Sequence, residues 1–174
     1  MKWKLRFLEL AKTVAQWSKD TTKVGSVAVN SANAILTTGF NGPPRGVKDL
    51  PERFERPAKY LYAAHAEENL VAHAARQVLE GSTVFVTHMC CNACARMLIN
   101  SGVARVCVGD GQTSMPKELF DAALEMFDEA GVILEFLPPS SDQSADSEVF
   151  GLREQSEGGK SVQGTPDGTY GNGY

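Results

Sequence analysis

Long apolar runs, surplus charge and dispersed cysteines are missing from most of this chain, and each absence narrows what it can be. No uninterrupted apolar stretch approaches the roughly 20 residues that cross a bilayer. The opening MKWKLRFLEL sets Lys2, Lys4, Arg6 and Glu9 among its apolar positions, and no charge-free core of a signal peptide follows. The expectation is a cytoplasmic protein with no membrane association. Residues 1–137 hold 15 basic and 15 acidic side chains. A neutral body argues against a nucleic-acid partner, whose binding rests mainly on neutralising phosphates. The net charge of −4 comes from residues 138–174, with two basic and six acidic side chains. Of four cysteines, Cys90, Cys91 and Cys94 lie within five residues of one another. Such a cluster cannot staple distant parts of a fold and reads as metal or redox chemistry rather than a disulfide framework.

What is present fits one domain of 174 residues, 43% hydrophobic and 22% charged, an ordinary balance for a soluble globular chain. Trp3, Phe7, Leu10, Val14 and Trp17 recur at helical steps and predict an amphipathic helix over 3–18. Ser26–Val29 and Ala34–Phe40 predict an antiparallel hairpin turning at Ser31-Ala32-Asn33. Asn41-Gly42-Pro43-Pro44-Arg45-Gly46 must be irregular, and Pro51 and Pro57 interrupt the charged stretch after it. Ala66–Leu79 predicts a helix stopping near Gly81, Thr83–Thr87 a strand, and Asn92–Asn100 a helix. Ala104–Val108 predicts a strand, a helix from Pro116 runs to about Glu129, and Val132–Leu137 is the last strand. This alternation demands crossovers and a largely parallel sheet covered by helices. Residues 138–174 hold seven of the 16 glycines and no sustained period, so a domain over 1–137 and an acidic Gly/Ser-rich mobile tail over 138–174 are expected.

The informative constellation is His65-Ala66-Glu67 followed by Cys91-Asn92-Ala93-Cys94. Catalytic zinc takes three protein ligands and leaves a fourth position open; one histidine and a C-x-x-C pair supply three. A helix plus a strand separate them, so a crossover can return Cys91 and Cys94 beside His65, with both groups at helix N-termini. The positive end of a helix favours thiolates, the form that binds metal. Glu67 is then free to act as general acid/base. Two blander readings stand beside this one. His88, three residues before Cys91, could close a structural zinc site as a fourth ligand, and Cys91-Cys94 could be a redox pair. Neither of those needs Glu67. His-x-Glu with Pro-Cys-x-x-Cys is the signature of zinc nucleobase deaminases.

The stretch His65-Ala66-Glu67-Glu68-Asn69-Leu70 with Val84–Thr87 and Cys91-Asn92-Ala93-Cys94-Ala95 resembles the cytidine-deaminase superfamily. Gly39–Gly46, with the Thr22-Lys23-Val24-Gly25 entry to the first strand, is similar to the deoxycytidylate (dCMP) deaminase branch in particular. The likeness covers roughly residues 5–136. It implies a three-layer α/β/α fold with a mixed five-stranded sheet covered by helices on both faces. It implies one zinc per chain on His65, Cys91 and Cys94, with Glu67 carrying a proton from water to N3 of cytosine and then to departing ammonia. It further implies hydrolysis of dCMP, or a 5-substituted dCMP, to dUMP for dTMP synthesis. The Ala66 backbone would read the base and Asn41 the sugar; the partners would be a small nucleotide substrate, a homo-oligomer such as a hexamer, and dCTP or dTTP as effectors. Arg45 is our choice for the phosphate, with Lys23, Arg53, Arg56 and Lys59 as the remaining pool. One departure is plain: the family has proline before the first zinc cysteine, and Cys90 stands there, leaving two candidates for that ligand, of which Cys91 keeps the x-x spacing. The rivals are a nucleic-acid deaminase of the same fold, a deaminase of another cytosine compound, and a non-catalytic zinc-binding interaction protein. Gln112–Pro116 has no chemical reading beyond a loop before the next helix.

Overall fold

The computed structural model describes residues 2–139; the acidic tail beyond Pro139 lies outside the described residues. In chain order the elements are α1 (Lys2–Ala15), β1 (Gly25–Val29), β2 (Ile35–Phe40), α2 (Lys59–Tyr62), α3 (Ala66–Ala72), α4 (Arg76–Leu79), β3 (Thr83–His88), α5 (Asn92–Asn100), β4 (Arg105–Gly111), α6 (Lys117–Glu129) and β5 (Ile133–Phe136), with a 3-10 turn at Pro51–Arg53. The sheet order is β2-β1-β3-β4-β5. β1 runs antiparallel to both β2 and β3, whereas β3, β4 and β5 are parallel. The parallel half is where the chain must cross over through α5 and α6, because parallel neighbours cannot be joined by a tight turn.

Alternation along the strands decides the layers. Val27, Val29, Phe85 and Cys107 point to one face and pack with Phe7, Leu8, Ala11 and Val14 of α1. Ala28, Val84, Val86, Val106 and Val108 point to the other, where Leu70, Leu79, Leu98, Ala123 and Phe127 bring α3, α4, α5 and α6 against the sheet. The result is the expected three-layer α/β/α arrangement of a mixed five-stranded sheet.

Two features set the position of the site. A Cβ at Gly39 would lie 2.1 Å from the Ala66 carbonyl oxygen, so glycine lets β2 run directly beneath the first turn of α3. Ser26 then fixes that turn from β1, its hydroxyl donating to the Ala66 carbonyl at 3.0 Å. Asn30 holds the hairpin turn, its side-chain oxygen accepting from the Ala32 and Ala34 N–H groups at 3.0 and 2.9 Å.

The helix predicted over 66–79 is two helices. No proline or glycine lies between Ala66 and Leu79, so local propensity does not break it. The cause is tertiary. At about 100° per residue, Leu70 and Leu79 would face opposite sides of one continuous helix, yet both are fully buried against the same sheet face. The break at 73–75 turns Leu79 back into the core. The first helix likewise ends at Ala15, short of Ser18, with Gln16, Trp17 and Ser18 N–H groups bonding three residues back.

Candidate active site and metal centre

His65 stands at the N-cap of α3 and Cys91 at the N-cap of α5, with Cys94 in the first turn of α5. His65 Nδ1 lies 3.2 Å from Cys94 Sγ and 3.4 Å from Cys91 Sγ, and the two sulfurs are 3.7 Å apart. Tetrahedral zinc bonded at ordinary lengths sets nitrogen–sulfur neighbours about 3.6 Å apart and sulfur–sulfur neighbours about 3.8 Å apart. The triangle fits within a few tenths of an ångström, and its mixed imidazole–thiolate donor set suits zinc. Among the described residues, these three form the one His/Cys/Asp/Glu group close enough to hold a metal ion. His88 is not in it: its ring nitrogen sits 2.9 Å from Thr87 Oγ1, and its ring packs against Gly111, where a Cβ would come within 2.4 Å. His88 therefore does not close a four-ligand site, and zinc held by these three residues would keep a position for water.

The electrostatics suit a cation. The Cys91 thiol is brought down to about 4, chiefly because the Cys94 thiol donates to it, with His65 adding to the effect and burial opposing. The same contact and burial push Cys94 up. His65 is raised to about 9, first by its hydrogen bond with Cys91, against burial, with Glu67 and Glu68 adding to the rise. Without metal these groups share protons, which zinc would displace on binding.

Glu67 occupies the first turn of α3 and is almost wholly buried. Burial pushes its carboxyl up, while its own backbone N–H and nearby His65 pull it down. The Cys90 thiol donates a hydrogen bond to this carboxylate, and burial, then Glu67, keep that thiol protonated. Cys90 thus faces Glu67, and it is Cys91 that completes the metal triangle with His65 and Cys94. Glu68 serves the helix instead. Its side chain accepts from the His65 N–H and so caps the start of α3.

These groups open onto one common cleft. Its lining comes from the β1 approach (Asp20, Thr22, Val24), Asn41 after β2, part of the segment 56–67, His88, Met89 and Cys91 before α5, and Thr113 and Met115 after β4. The cleft sits beyond the carboxyl ends of β3 and β4, where α/β sheets bind ligands.

The family profile described as "Cytidine and deoxycytidylate deaminase zinc-binding region" matches residues 1–110. The chain belongs to the cytidine and deoxycytidylate deaminases. An uncharacterized deaminase of Aliivibrio fischeri is 40% identical over 141 residues, 79% of this chain and 95% of that one. Human deoxycytidylate deaminase is 33% identical over 149 residues, covering 81% of this chain and 83% of its own. The dCMP deaminase of cyanophage S-TIM5, solved in complex with dCMP and dUMP, is 26% identical, covers 78% of this chain and 97% of its own, and superposes with a TM-score of 0.63.

Within this deaminase the other predicted residues take distinct places. Asn41 lines the cleft, but its side chain is largely engaged: Oδ1 accepts from the Val24 N–H at 2.8 Å, and Nδ2 donates to the Thr22 carbonyl at 2.9 Å. One amide hydrogen and one lone pair remain for a ligand. The Ala66 carbonyl is taken by Ser26, which leaves its N–H, one of the helix's unpaired first-turn donors. Arg45 is not among the residues lining this cleft; it borders a second groove, with Trp17, Phe40, Pro44 and Phe54, that meets the cleft at Asn41. Lys59 does line the cleft, where its ammonium donates to Asp20 at 2.8 and 3.1 Å, both side chains being buried. Cys107, the cysteine outside the cluster, is buried in β4. Sequence reasoning missed Asp20, Thr22, Tyr60, Thr113 and Met115 as cleft residues. No spacing along the chain joins them, since they come from three distant segments that the fold brings to one cleft.

Proposed function

We propose that this protein is a zinc-dependent deaminase that hydrolyses dCMP to dUMP and ammonia. The observation that carries the reading is the His65–Cys91–Cys94 triangle with Glu67 buried one turn away at the same helix end. Family membership and the naming of several relatives as deoxycytidylate deaminases support the substrate. When bound, zinc held by His65, Cys91 and Cys94 supplies a Lewis acid that makes water a nucleophile at neutral pH.

The chain's own residues do the rest. Glu67, with a carboxyl raised by burial, takes a proton from the attacking water at its free oxygen and gives it to ring N3. It then takes the second proton of that water from the new C4 hydroxyl and passes it to the amine, so that C4 exchanges its amino group for a carbonyl oxygen and ammonia leaves. The Cys90 thiol fixes one side of the Glu67 carboxylate. The Ala66 N–H orients the base, and Asn41 offers its remaining amide hydrogen to the sugar. Desolvation in the half-closed cleft strengthens each of these polar contacts.

The division into a catalytic domain over 1–137 and a dispensable tail over 138–174 belongs to the same proposal, supported by the charge excess of the tail. So does a cytoplasmic setting, which suits four unpaired, buried cysteines; among the described residues no helix is long and apolar enough to cross a membrane. Homo-oligomerisation, with a hexamer as the form to test, is supported by exposed Trp3, Leu61 and Phe136. Regulation by dCTP or dTTP is carried over from the family resemblance.

The test is ammonia release from dCMP, 5-methyl-dCMP, deoxycytidine, cytidine and a deoxycytidine-containing oligonucleotide. dCMP or its 5-substituted form should have the highest kcat/KM. A chain that prefers the oligonucleotide would overturn the substrate assignment, and loss of turnover in a chain ending at Pro139 would overturn the division.

A further inference from the structure

The charges that line the cleft do not cancel uniformly. Asp20 and Lys59 neutralise each other in a buried pair, and Glu67 belongs to the proton-transfer machinery beside His65. Arg56 remains. It lines the same cleft, is exposed to solvent, and takes part in no ion pair among the described residues. Its guanidinium is nonetheless placed: Nη2 donates to Ser114 Oγ at 2.8 Å, and the group stands 5.8 Å from the centre of the Tyr60 ring. Ser114 belongs to the segment Gln112–Pro116, which the sequence left without chemistry, and its neighbours Thr113 and Met115 line the cleft.

The other basic candidates are occupied or elsewhere. Lys23 donates to the Gln16 and Ser18 carbonyls, Arg53 donates to the Lys48 carbonyl and lies over Tyr62, and neither lines the cleft. Arg45 borders the second groove. A guanidinium carries five N–H donors in a planar fork, and Ser114 takes one. The four left match the paired oxygens of a phosphate.

We infer that Arg56, positioned by Ser114, recognises the 5′-phosphate of the substrate and makes this cleft selective for a nucleoside monophosphate over a nucleoside. The inference rests on the proposed deamination of dCMP and assigns a residue to a part of the substrate that the metal and Glu67 do not touch. Through Ser114, the loop after β4 is part of this specificity apparatus.

The test compares kcat/KM for dCMP and deoxycytidine in the wild type, Arg56→Ala, Arg56→Lys, Ser114→Ala and Arg45→Ala, with calorimetric affinities for dUMP and deoxyuridine as a second readout. A charged contact of this kind corresponds to about ten- to a hundredfold. Arg56→Ala should lose that factor on dCMP and on dUMP binding, with deoxycytidine and deoxyuridine unchanged. Arg56→Lys should recover only part of it, since a point charge cannot make the forked contact. Ser114→Ala should raise KM for dCMP without changing kcat, and Ser114→Thr should restore it. Arg56 is exposed, so an unchanged melting temperature will confirm that its variants fold. A wild type that uses deoxycytidine as well as dCMP would overturn the dCMP reading and this assignment together. A wild-type preference for dCMP that survives Arg56→Ala, or that collapses in Arg45→Ala instead, would overturn this assignment alone.

Discussion

Two adjacent glutamates show how far one position along a helix separates chemistry from structure. Glu67 is buried beside His65, whereas Glu68 turns about 100° away and caps the helix through the His65 N–H. Glu67→Gln should therefore keep zinc content and melting temperature while turnover falls at least about 10²-fold. Glu68→Ala should instead cost about 0.5–2 kcal/mol of stability, the usual worth of a lost cap, with a much smaller effect on turnover. Equal losses of turnover would refute the separation of roles. Lys59 gives a second test at this scale. Removing its ammonium leaves the Asp20 carboxylate buried without its cation, although the Thr22 N–H still reaches it at 2.9 Å. Lys59→Met should destabilise the fold by about 3–5 kcal/mol, and adding Asp20→Asn should recover part of that loss. Urea denaturation of both variants checks it; a Lys59→Met protein of wild-type stability would show that the pair does not hold the cleft wall.

Among the elements, the parts legible in the sequence were those whose signal is local. β3 follows from the β-branched run Thr83-Val84-Phe85-Val86-Thr87, and α5 from a C-x-x-C entry and an exit at Gly102, where φ is +77°. Four of the site's chemical groups were legible for the same reason, since one helix turn holds His65 and Glu67 and another holds Cys91 and Cys94. The break between α3 and α4 was not, because only the sheet face shared by Leu70 and Leu79 demands it. Nor was the far wall of the cleft: the Asp20–Lys59 pair spans 39 residues and the Arg56–Ser114 bond spans 58. Such pairings are made by the layering of the fold, and no spacing along the chain announces them. Arg45 was chosen because it follows Asn41 closely, yet the turn through Gly42, Pro43 and Pro44 carries it to the other groove.

The last strand ties the sheet edge to α1 through charge. Glu135 on β5 accepts from Lys4 of α1 and from Arg105 of β4 at 3.1 Å, and Lys4 chiefly holds its carboxyl below the ordinary 4.5. A folded-state value below the unfolded one means stability is present above the unfolded value and is lost as pH falls through the folded one. The side chain is 29% exposed, so the contribution is small, about 0.2–1 kcal/mol. Glu135→Gln should lower stability at pH 7 by that amount and make the acid side of the curve, below about pH 5, shallower. An unchanged pH–stability curve would remove this contact from the account.

Taken as a whole, the molecule uses its two helix N-termini for one purpose. The sheet fixes the distance between α3 and α5, and their first turns deliver a histidine, two cysteines and a carboxylate to one end of the parallel strands. The neutral charge of residues 1–137 agrees with a small substrate better than with a polyanionic one. The non-catalytic zinc-binding reading fails to explain why a carboxylate is buried beside the metal triangle at the desolvation cost that burial entails. The most direct test is zinc removal and return with dCMP as substrate. The purified chain should carry one zinc per chain by elemental analysis and form dUMP and ammonia in equal amounts; it should lose both metal and turnover on chelation and regain both with one equivalent of zinc. A folded protein holding one zinc on His65, Cys91 and Cys94 that leaves dCMP unchanged, or one that turns over dCMP with no metal bound, would contradict the account.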